Sequence, residues 1–419
     1  MAIARLAAKS LWNRRTTAAL TVLTIALSVA LLLGVEKLRR DARDAFANTI
    51  SGTDLIVGAR SGTVQLLLYS VFRIGNATNN MSHDSYEAIA AWPNVKWAVP
   101  LSLGDSHRGF RVLGTTKDYF KHYRYANKQT LRLAEGKAFE GVFGAVLGAD
   151  VARDLEYEVG DSLVLAHGAG RINLIKHDDM PFQVSGILAP TGTPVDRTVH
   201  VALEGIEAIH ADWKNGTRTR GLTFSSDPLD AANLKPQSIT AFLLGLDSKF
   251  AIFSVQRRIN EFADEPILAI LPGVALQELW DLMGVAERLL RAVSVMVVVT
   301  GLLGMLTVSL ASLEARRREM AVLRSVGARP IHIFALLMSE AGILAVAGAA
   351  IGTTLLYGVI AVGRDTAARD FGLQIPLTAP NEMDMILLAA VVLVAFLAGS
   401  VPAIRAYRVS LSDGLSVKI

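Results

Sequence analysis

Four stretches of the chain are apolar over about the 20 residues that a helix needs to cross a hydrocarbon core: 16–35, 292–312, 341–363 and 385–404. None carries an acid or a base in its interior. Between the first and second, some 250 residues alternate between short β-branched runs and helical patterns, as a water-soluble domain does. The pattern therefore predicts a multi-pass α-helical membrane protein of four transmembrane helices, with a large α+β extracytoplasmic domain inserted between helices 1 and 2. The expected partition is an N-terminal segment 1–15, a span 16–35, the external domain 36–285, a span 286–313, a loop 314–331, a span 332–363, a short outer loop 364–384, a span 385–404 and a tail 405–419.

Within the external region, Leu38, Ala42, Ala45, Phe46 and Ile50 recur at three- and four-residue spacing among charges, which predicts a stalk helix continuing the first span. Strands are expected at 55–57, 95–101, 110–113, 145–147, 162–166, 182–188 and 198–203, each bounded by turn residues. Helices are expected near 82–91, 149–155, 203–214 and 247–263. The segment VQLLLYSVF (64–72) is strongly apolar but too short to span, which leaves two readings: a buried core element, or a docking or interfacial surface.

Composition agrees with a membrane protein. Hydrophobic residues make up 52% of 419 and charged residues 19%, against about 25% charged in a soluble domain. The net charge of +4 is small and gives no nucleic-acid footprint, but its distribution orients the spans. Arg5, Lys9, Arg14 and Arg15 precede the first span, Arg316, Arg317, Arg318, Arg324 and Arg329 separate the second from the third, and Arg405, Arg408 and Lys418 follow the fourth. The 364–384 loop has only Arg364 and Arg369, offset by acids. The positive-inside rule then places both termini in the cytoplasm, and the first span, with no A-x-A-like site after it, reads as an uncleaved anchor.

Several chemistries are excluded. There is no cysteine, hence no disulfide, thiolate zinc site or thiol nucleophile. No GxxxxGK[ST], HExxH or GxSxG occurs, so no catalytic residue is assigned. Uncharged span interiors argue against an ion path. Seven of the eight histidines (His83, His107, His122, His167, His177, His200, His210) fall in the external region, a mild excess without the spacing of a metal pair; metal handling stays open only as a third possibility.

The run 314–329, EARRREMAVLRSVGAR, is the distinctive motif. Met320, Leu323 and Val326 make a narrow apolar stripe among charges, and Gly327 is a natural helix stop. From its residues alone the helix either lies on anionic lipid or docks a cytoplasmic partner. Glu340, an acid at the edge of the third span, needs water, a basic partner or a helix terminus. Gly348 and Gly352, spaced as GxxxG, and Gly301 with Gly304 permit close helix packing.

Here the sequence resembles the MacB/FtsX-like permeases of ABC transporters, a family that includes the Lol lipoprotein-releasing complex. The loop pattern E-x-R-x-x-E-[IM]-x-x-[LM]-[RK]-x-x-G-A is matched by Glu314, Arg316, Glu319, Met320, Leu323, Arg324, Gly327 and Ala328, with Arg317 inside it. VLGTTKD (112–118), VLGADVA (146–152), Gly160 with Asp161, FQVSGIL (182–188) and DRTVHVAL (196–203) resemble the family's external domain. The segment near Val64 fits less well and suggests a distinct subfamily.

The resemblance implies a bacterial inner-membrane permease subunit that pairs with a second permease chain, as a homodimer, and docks a separate cytoplasmic ABC ATPase of the LolD/MacB type. That ATPase would hold ATP and magnesium, and this chain no cofactor. Its coupling residues would be those of the loop motif, with Glu340, Gly348 and Gly352 as coupling or packing positions in the membrane. The work implied is mechanotransmission to the periplasm: extraction or export of a lipoprotein, lipid, peptide, drug or metallophore. An alternative implied by FtsX itself is regulation of an external enzyme, such as a cell-wall hydrolase, without transport.

Overall fold

The computed structural model describes residues 2–139, 141–167, 180–210, 213–214, 217–218, 235–371 and 376–408. The chain divides into two compact units, 43–283 and 1–42 with 284–419. Seven helices concern the membrane unit: α1 (Ala2–Asn13), α2 (Arg15–Thr49), α3 (Pro272–Ala315), α4 (Arg317–Ser325), α5 (Pro330–Phe371), α6 (Glu382–Ala398) and α7 (Ser400–Arg408). Among the described residues four segments are long and apolar enough to cross a membrane: Arg15–Asp44, Pro272–Leu313, Pro330–Arg364 and Glu382–Arg408.

The external domain is built on nine principal strands, β1 (Leu55–Ala59), β2 (Val95–His107), β3 (Phe110–Thr115), β4 (Leu133–Gly136), β5 (Gly144–Leu147), β6 (Phe182–Leu188), β7 (Thr198–Ala202), β8 (Ala241–Leu246) and β9 (Ile267–Ile270). They run in the order β9-β1-β8-β2-β3-β7-β5-β6-β4. The long strand β2 belongs to two lobes. Its first half pairs antiparallel with β8, Val95 opposite Leu246 through Leu101 opposite Ala241. Beyond Leu101 it turns to β3, Ser102 opposite Gly114, with an irregularity between Leu103 and Ser106. Gly104 lies in that bulge, where a residue without a side chain eases the bend. The pairs β3–β7 and β5–β6 are parallel, so the sheet is mixed.

Each lobe buries its own apolar faces. Leu55, Val57, Phe242, Leu244, Ile267 and Ala269 pack with Ile89 and with Val255 and Ile259 of the helix Ile252–Asn260. In the other lobe, Val112, Ala145, Leu147, Val184, Val199 and Val201 pack with Ile206 and Val151 from the covering helices Leu203–His210 and Ala149–Leu155. The segment near Val64 is the helix Thr63–Ser70, and Leu66, Leu67, Tyr69, Val71 and Phe72 are buried in the central core. The structure favours the core reading of this segment over the interfacial one: most of its apolar side chains are buried, and only Val64 and Leu68 stay half-buried. The stalk residue Phe46 packs at a tilt against Phe72 (4.5 Å between centroids) and meets Trp280 edge-on (5.6 Å), so the last turns of α2 and the first turns of α3 share one aromatic cluster.

In the membrane unit, Ile25, Val29 and Leu33 of α2 pack with Met305 of α3, Ala345 of α5 and Val391 and Ala395 of α6. Three features depart from the sequence expectation. The N-terminal segment is a helix, α1, that packs on α5. The helix that carries the second span begins well before residue 286, at Pro272, where a proline without an N–H suits a first helical turn. The fourth span is split between α6 and α7, because Pro402 cannot donate to the carbonyl four residues back, at Ala398, where α6 ends. At the junction, a Cβ on Gly399 would collide with that of Ala341, so the missing side chain lets α5 approach.

Candidate functional site

Arg316 occupies the single residue between α3 and α4. Its side chain is 5% exposed and donates two hydrogen bonds of 2.8 Å, one to each carboxylate oxygen of Glu340 in the first turns of α5. The same guanidinium donates to Ser10 Oγ of α1 at 2.9 Å and, through Nε, to Glu319 at 3.4 Å. Arg14 adds a second cation, 2.9 Å from Ser10 Oγ and 3.7 Å from Glu340. One buried carboxylate thus ties together α1, the α3–α4 elbow and α5. A bidentate arginine–carboxylate pair is the strong, directional form of ion pair. Its net stabilisation is small after desolvation, but losing either partner strands a buried charge.

The short helix α4 hangs from this elbow. Met320 and Ala321 are buried, and Met320 joins Leu313, Ile333, Leu337, Met338, Ala403 and Ala406 in an apolar cluster. Leu323, Arg324 and Ala328 are half-buried, and the Arg324 side chain is engaged in an interaction of its own. The stripe expected from spacing is corrected at its end: Val326 is 83% exposed and Val322 53% exposed. The helix stops at Ser325, so Val326 lies beyond the reach of the 3.6-residue period that grouped it with Met320. Gly327 then adopts φ +100°, its N–H bonded to the Arg324 carbonyl at 3.0 Å and that of Ala328 to the Leu323 carbonyl at 3.0 Å. This pair of bonds is the Schellman stop, which favours a residue without Cβ at its left-handed position. The side chains of Glu314 and Arg317 lie outside the described residues.

Gly348 and Gly352 are used within the chain. A Cβ at Gly348 would lie 2.5 Å from Ile25 Cγ2, and one at Gly352 2.5 Å from the Ala26 carbonyl and 3.0 Å from Val29 Cβ. Gly301 likewise faces Ser28, at 2.6 Å from its Oγ, whereas Gly304 meets nothing. Small residues here let α5 and α3 close on α2.

At the other end of the bundle, a second set of ion pairs holds the helices. Arg40 of α2 donates to both oxygens of the buried Asp384 at 3.2 and 3.1 Å. Asp384 also caps α6, closing a box with Asn381 that satisfies orphan N–H groups at the helix start. Buried Lys37 contacts Asp41 at 3.0 Å and donates to Thr378 at 2.9 Å, while Arg39 bridges Glu36 to Glu287 of α3. Reasoning from the sequence did not reach these pairs, since partners such as Arg40 and Asp384 are far apart in the chain.

Three of the external histidines are engaged in the domain's own structure. His107 contacts the Val164 carbonyl at 2.7 Å and the Tyr157 hydroxyl at 3.1 Å, and burial lowers its pKa. His200, fully buried, has its pKa pulled down to about 3, by burial first and then by the charge of Arg73. His122 stacks on Trp97 at 4.9 Å. His177 and the side chain of His167 lie outside the described residues. Among the described residues no group of three or more potential ligands is placed to hold a metal ion.

Residues 18–236 match the family described as MacB-like periplasmic core domain, and residues 291–411 match FtsX-like permease C-terminal. A macrolide export ATP-binding/permease protein MacB of Nitrobacter winogradskyi is 25% identical over 412 residues, 95% of this chain and 57% of that protein. The chain therefore spans a little over half the length of that relative. Among solved structures, the periplasmic region of MacB from Actinobacillus actinomycetemcomitans aligns at 10% identity and a TM-score of 0.35, covering 55% of this chain and 94% of that one. The extracellular domain of the noncanonic ABC-type transporter YknZ from Gram-positive bacteria aligns at 12% and 0.31, covering 52% and 99%. At those scores neither likeness bears on the argument. The two family matches do: a periplasmic-type domain carried between apolar helices, with the FtsX-type membrane part behind it, makes this chain a member of the MacB/FtsX-like permease family of ABC transporters.

Proposed function

We propose that this chain is the permease part of a mechanotransmitting ABC machine, which docks an ATP-hydrolysing partner on α4 and does its work on the external domain. The observation that carries the reading is the construction of α4: a short helix anchored by the Arg316–Glu340 pair, stopped at Gly327, and offering Val322 and Val326 to whatever lies beyond. An anchored elbow with exposed apolar side chains suits a docking helix better than a lipid-lying one, because its buried face is already committed to the protein. The sequence contains no P-loop, so ATP and magnesium would be held outside these 419 residues. Positive-inside counting would put α1 and α4 in the cytoplasm of a bacterial inner membrane and the domain in the periplasm.

The apolar core shared by α2, α3, α5 and α6 supports work without a polar path along the bundle. The cargo class that fits is one presented at the outer face: a lipoprotein, lipid, peptide or amphipathic small molecule. Macrolide export is the activity named for the relative, and it is one member of that class. A second copy of the chain would complete the membrane assembly.

The test is copurification and ATP turnover with the cognate ATPase in lipid nanodiscs, comparing wild type with Val326→Asp. Val326 is exposed, so the substitution leaves the fold intact. Loss of ATPase binding and of permease-dependent turnover is expected; wild-type binding by the variant would overturn α4 as the docking helix.

A further inference from the structure

The external domain holds a cavity of 290 Å³ beside the loop that follows the helix Thr63–Ser70, lined among others by Tyr69, Arg73, Asn76, Thr78, Asn80 and Arg111. Two guanidinium groups from different elements share it, Arg73 from the loop and Arg111 from β3. Among the described residues neither has a carboxylate within ion-pair distance. Burial alone lowers the pKa of Arg111, with no acid acting to raise it, and the charge of Arg73 is felt by His200 and Tyr119.

The hydrogen bonds of both arginines position them without neutralising them. Arg111 donates to the Asn76 side chain at 2.8 Å and to the Gly75 carbonyl at 3.0 Å, which fastens the loop to β3. A guanidinium has five N–H donors, so three of Arg111 remain. Arg73 donates to the Ser70 carbonyl and to the Tyr119 hydroxyl, and its buried Nε has no partner. Arg73 also sits at φ +60°, a left-handed conformation that a long side chain seldom adopts and that tends to persist where function demands it. Two half-buried arginines side by side, with no acid against either among the described residues, leave positive charge that an anion would complete.

We propose that this cavity is an oxyanion site that takes a phosphoryl group carried on a small polar moiety. Paired guanidinium forks match the several acceptor directions of a tetrahedral phosphoryl group, and the amides of Asn76 and Asn80 with the Thr78 hydroxyl supply neutral donors around it. The volume exceeds that of the anion alone and leaves room for a glycerol-sized substituent. The same chemistry is presented by a phospholipid headgroup and by a soluble phosphate ester.

The test uses the full chain in maltoside detergent, free of phosphate, and no ATPase, so its outcome is independent of the docking role of α4. Titration calorimetry with inorganic phosphate and with glycerol 3-phosphate should show saturable binding that weakens with added salt, with the ester bound more tightly. The double variant Arg73→Gln/Arg111→Gln should weaken binding at least tenfold. Arg111→Lys, which keeps the charge but loses the fork, should bind at an intermediate strength and serves if the double variant misfolds. Native mass spectrometry separates the sources: retention of phosphatidylglycerol over diacylglycerol, lost in the variants, assigns a lipid headgroup, and binding of the soluble ester without such retention assigns a free one. No saturable binding of either phosphate probe, or equal binding by wild type and variants, would overturn the site.

Discussion

Removing Glu340 should damage the membrane unit more than removing Glu340 and Arg316 together. The carboxylate is 9% exposed and accepts both 2.8 Å bonds from a guanidinium that is itself 5% exposed. In Glu340→Met, Arg316 keeps only Ser10 and the longer contact to Glu319, and a buried cation without its counter-ion typically costs about 3–5 kcal/mol. In Arg316→Met/Glu340→Met neither member of the pair is left charged and buried, and a packed apolar replacement of a buried pair is often neutral or stabilising, by about 1–4 kcal/mol. The double-mutant cycle should therefore give a coupling energy of at least about 2 kcal/mol, outside the error for independent sites. Arg14, 3.7 Å from Glu340, is a second group that loses its partner in the single variant and is retained in the double, so it works against full recovery. The assay is denaturant or thermal unfolding of the full chain in one detergent, followed by ATP turnover with the partner. Additive single variants, each near zero, would refute the reasoning, since the pair would then be surface-like and screened. A double variant that is stable yet uncouples ATP turnover from the external domain would show that the pair transmits force as well as holding the elbow.

Gly327→Val should cost about 1–2 kcal/mol at the α4 stop, because an L-residue is forced to positive φ although no atom of the described residues lies within 4 Å of the new Cβ; undiminished ATPase recruitment in a pull-down would count against the docking assignment. Gly348→Leu should lower the unfolding midpoint through overpacking against Ile25, about 1–3 kcal/mol, while Gly304→Leu, with open space around its Cβ, should not; equal midpoints for the two would contradict the helix contacts. His200, with its pKa pulled to about 3 when folded, stays neutral at a pH where the unfolded chain takes up a proton near pH 6.5. Stability is thus lost as pH falls below about 6.5, by about 1.4 kcal/mol between pH 7.5 and 5.5. His200→Leu should flatten the acid sensitivity by that amount, and an unchanged slope between thermal melts at the two pH values would remove His200 as its source.

The long apolar helices and many of the strands were legible because burial imposes a repeat that survives in one dimension. The strands β8, AFLLGL, and β9, ILAI, were missed because both faces are buried, and a continuous apolar run has no alternation to read. The helix α1 was hidden by its own charges, since Arg5, Lys9 and Arg14 counted as flanking signals while Ile3, Ala7, Ser10 and Arg14 recur at helical spacing. Glu340 drew attention as an acid at a membrane edge, but its partner could not be identified, because the break at Arg316 resets the direction of the chain. The arginines of the oxyanion cavity gave no signal at all: they lie 38 positions apart on a loop and a strand, and only the fold brings them to one wall.

The meeting of α1, the elbow and α5 at one carboxylate also sets an order of manufacture. A ribosome delivers Ser10 and Arg14 first, Arg316 some 300 residues later, and Glu340 after a further 24. Until Glu340 appears, Arg316 has no deep partner and its long side chain keeps its head in water at the interface. The junction of α3, α4 and α5 can therefore close on this carboxylate only once the start of α5 has been made. Errors at Glu340 would then surface as misinserted protein cleared by quality control, before any question of transport arises.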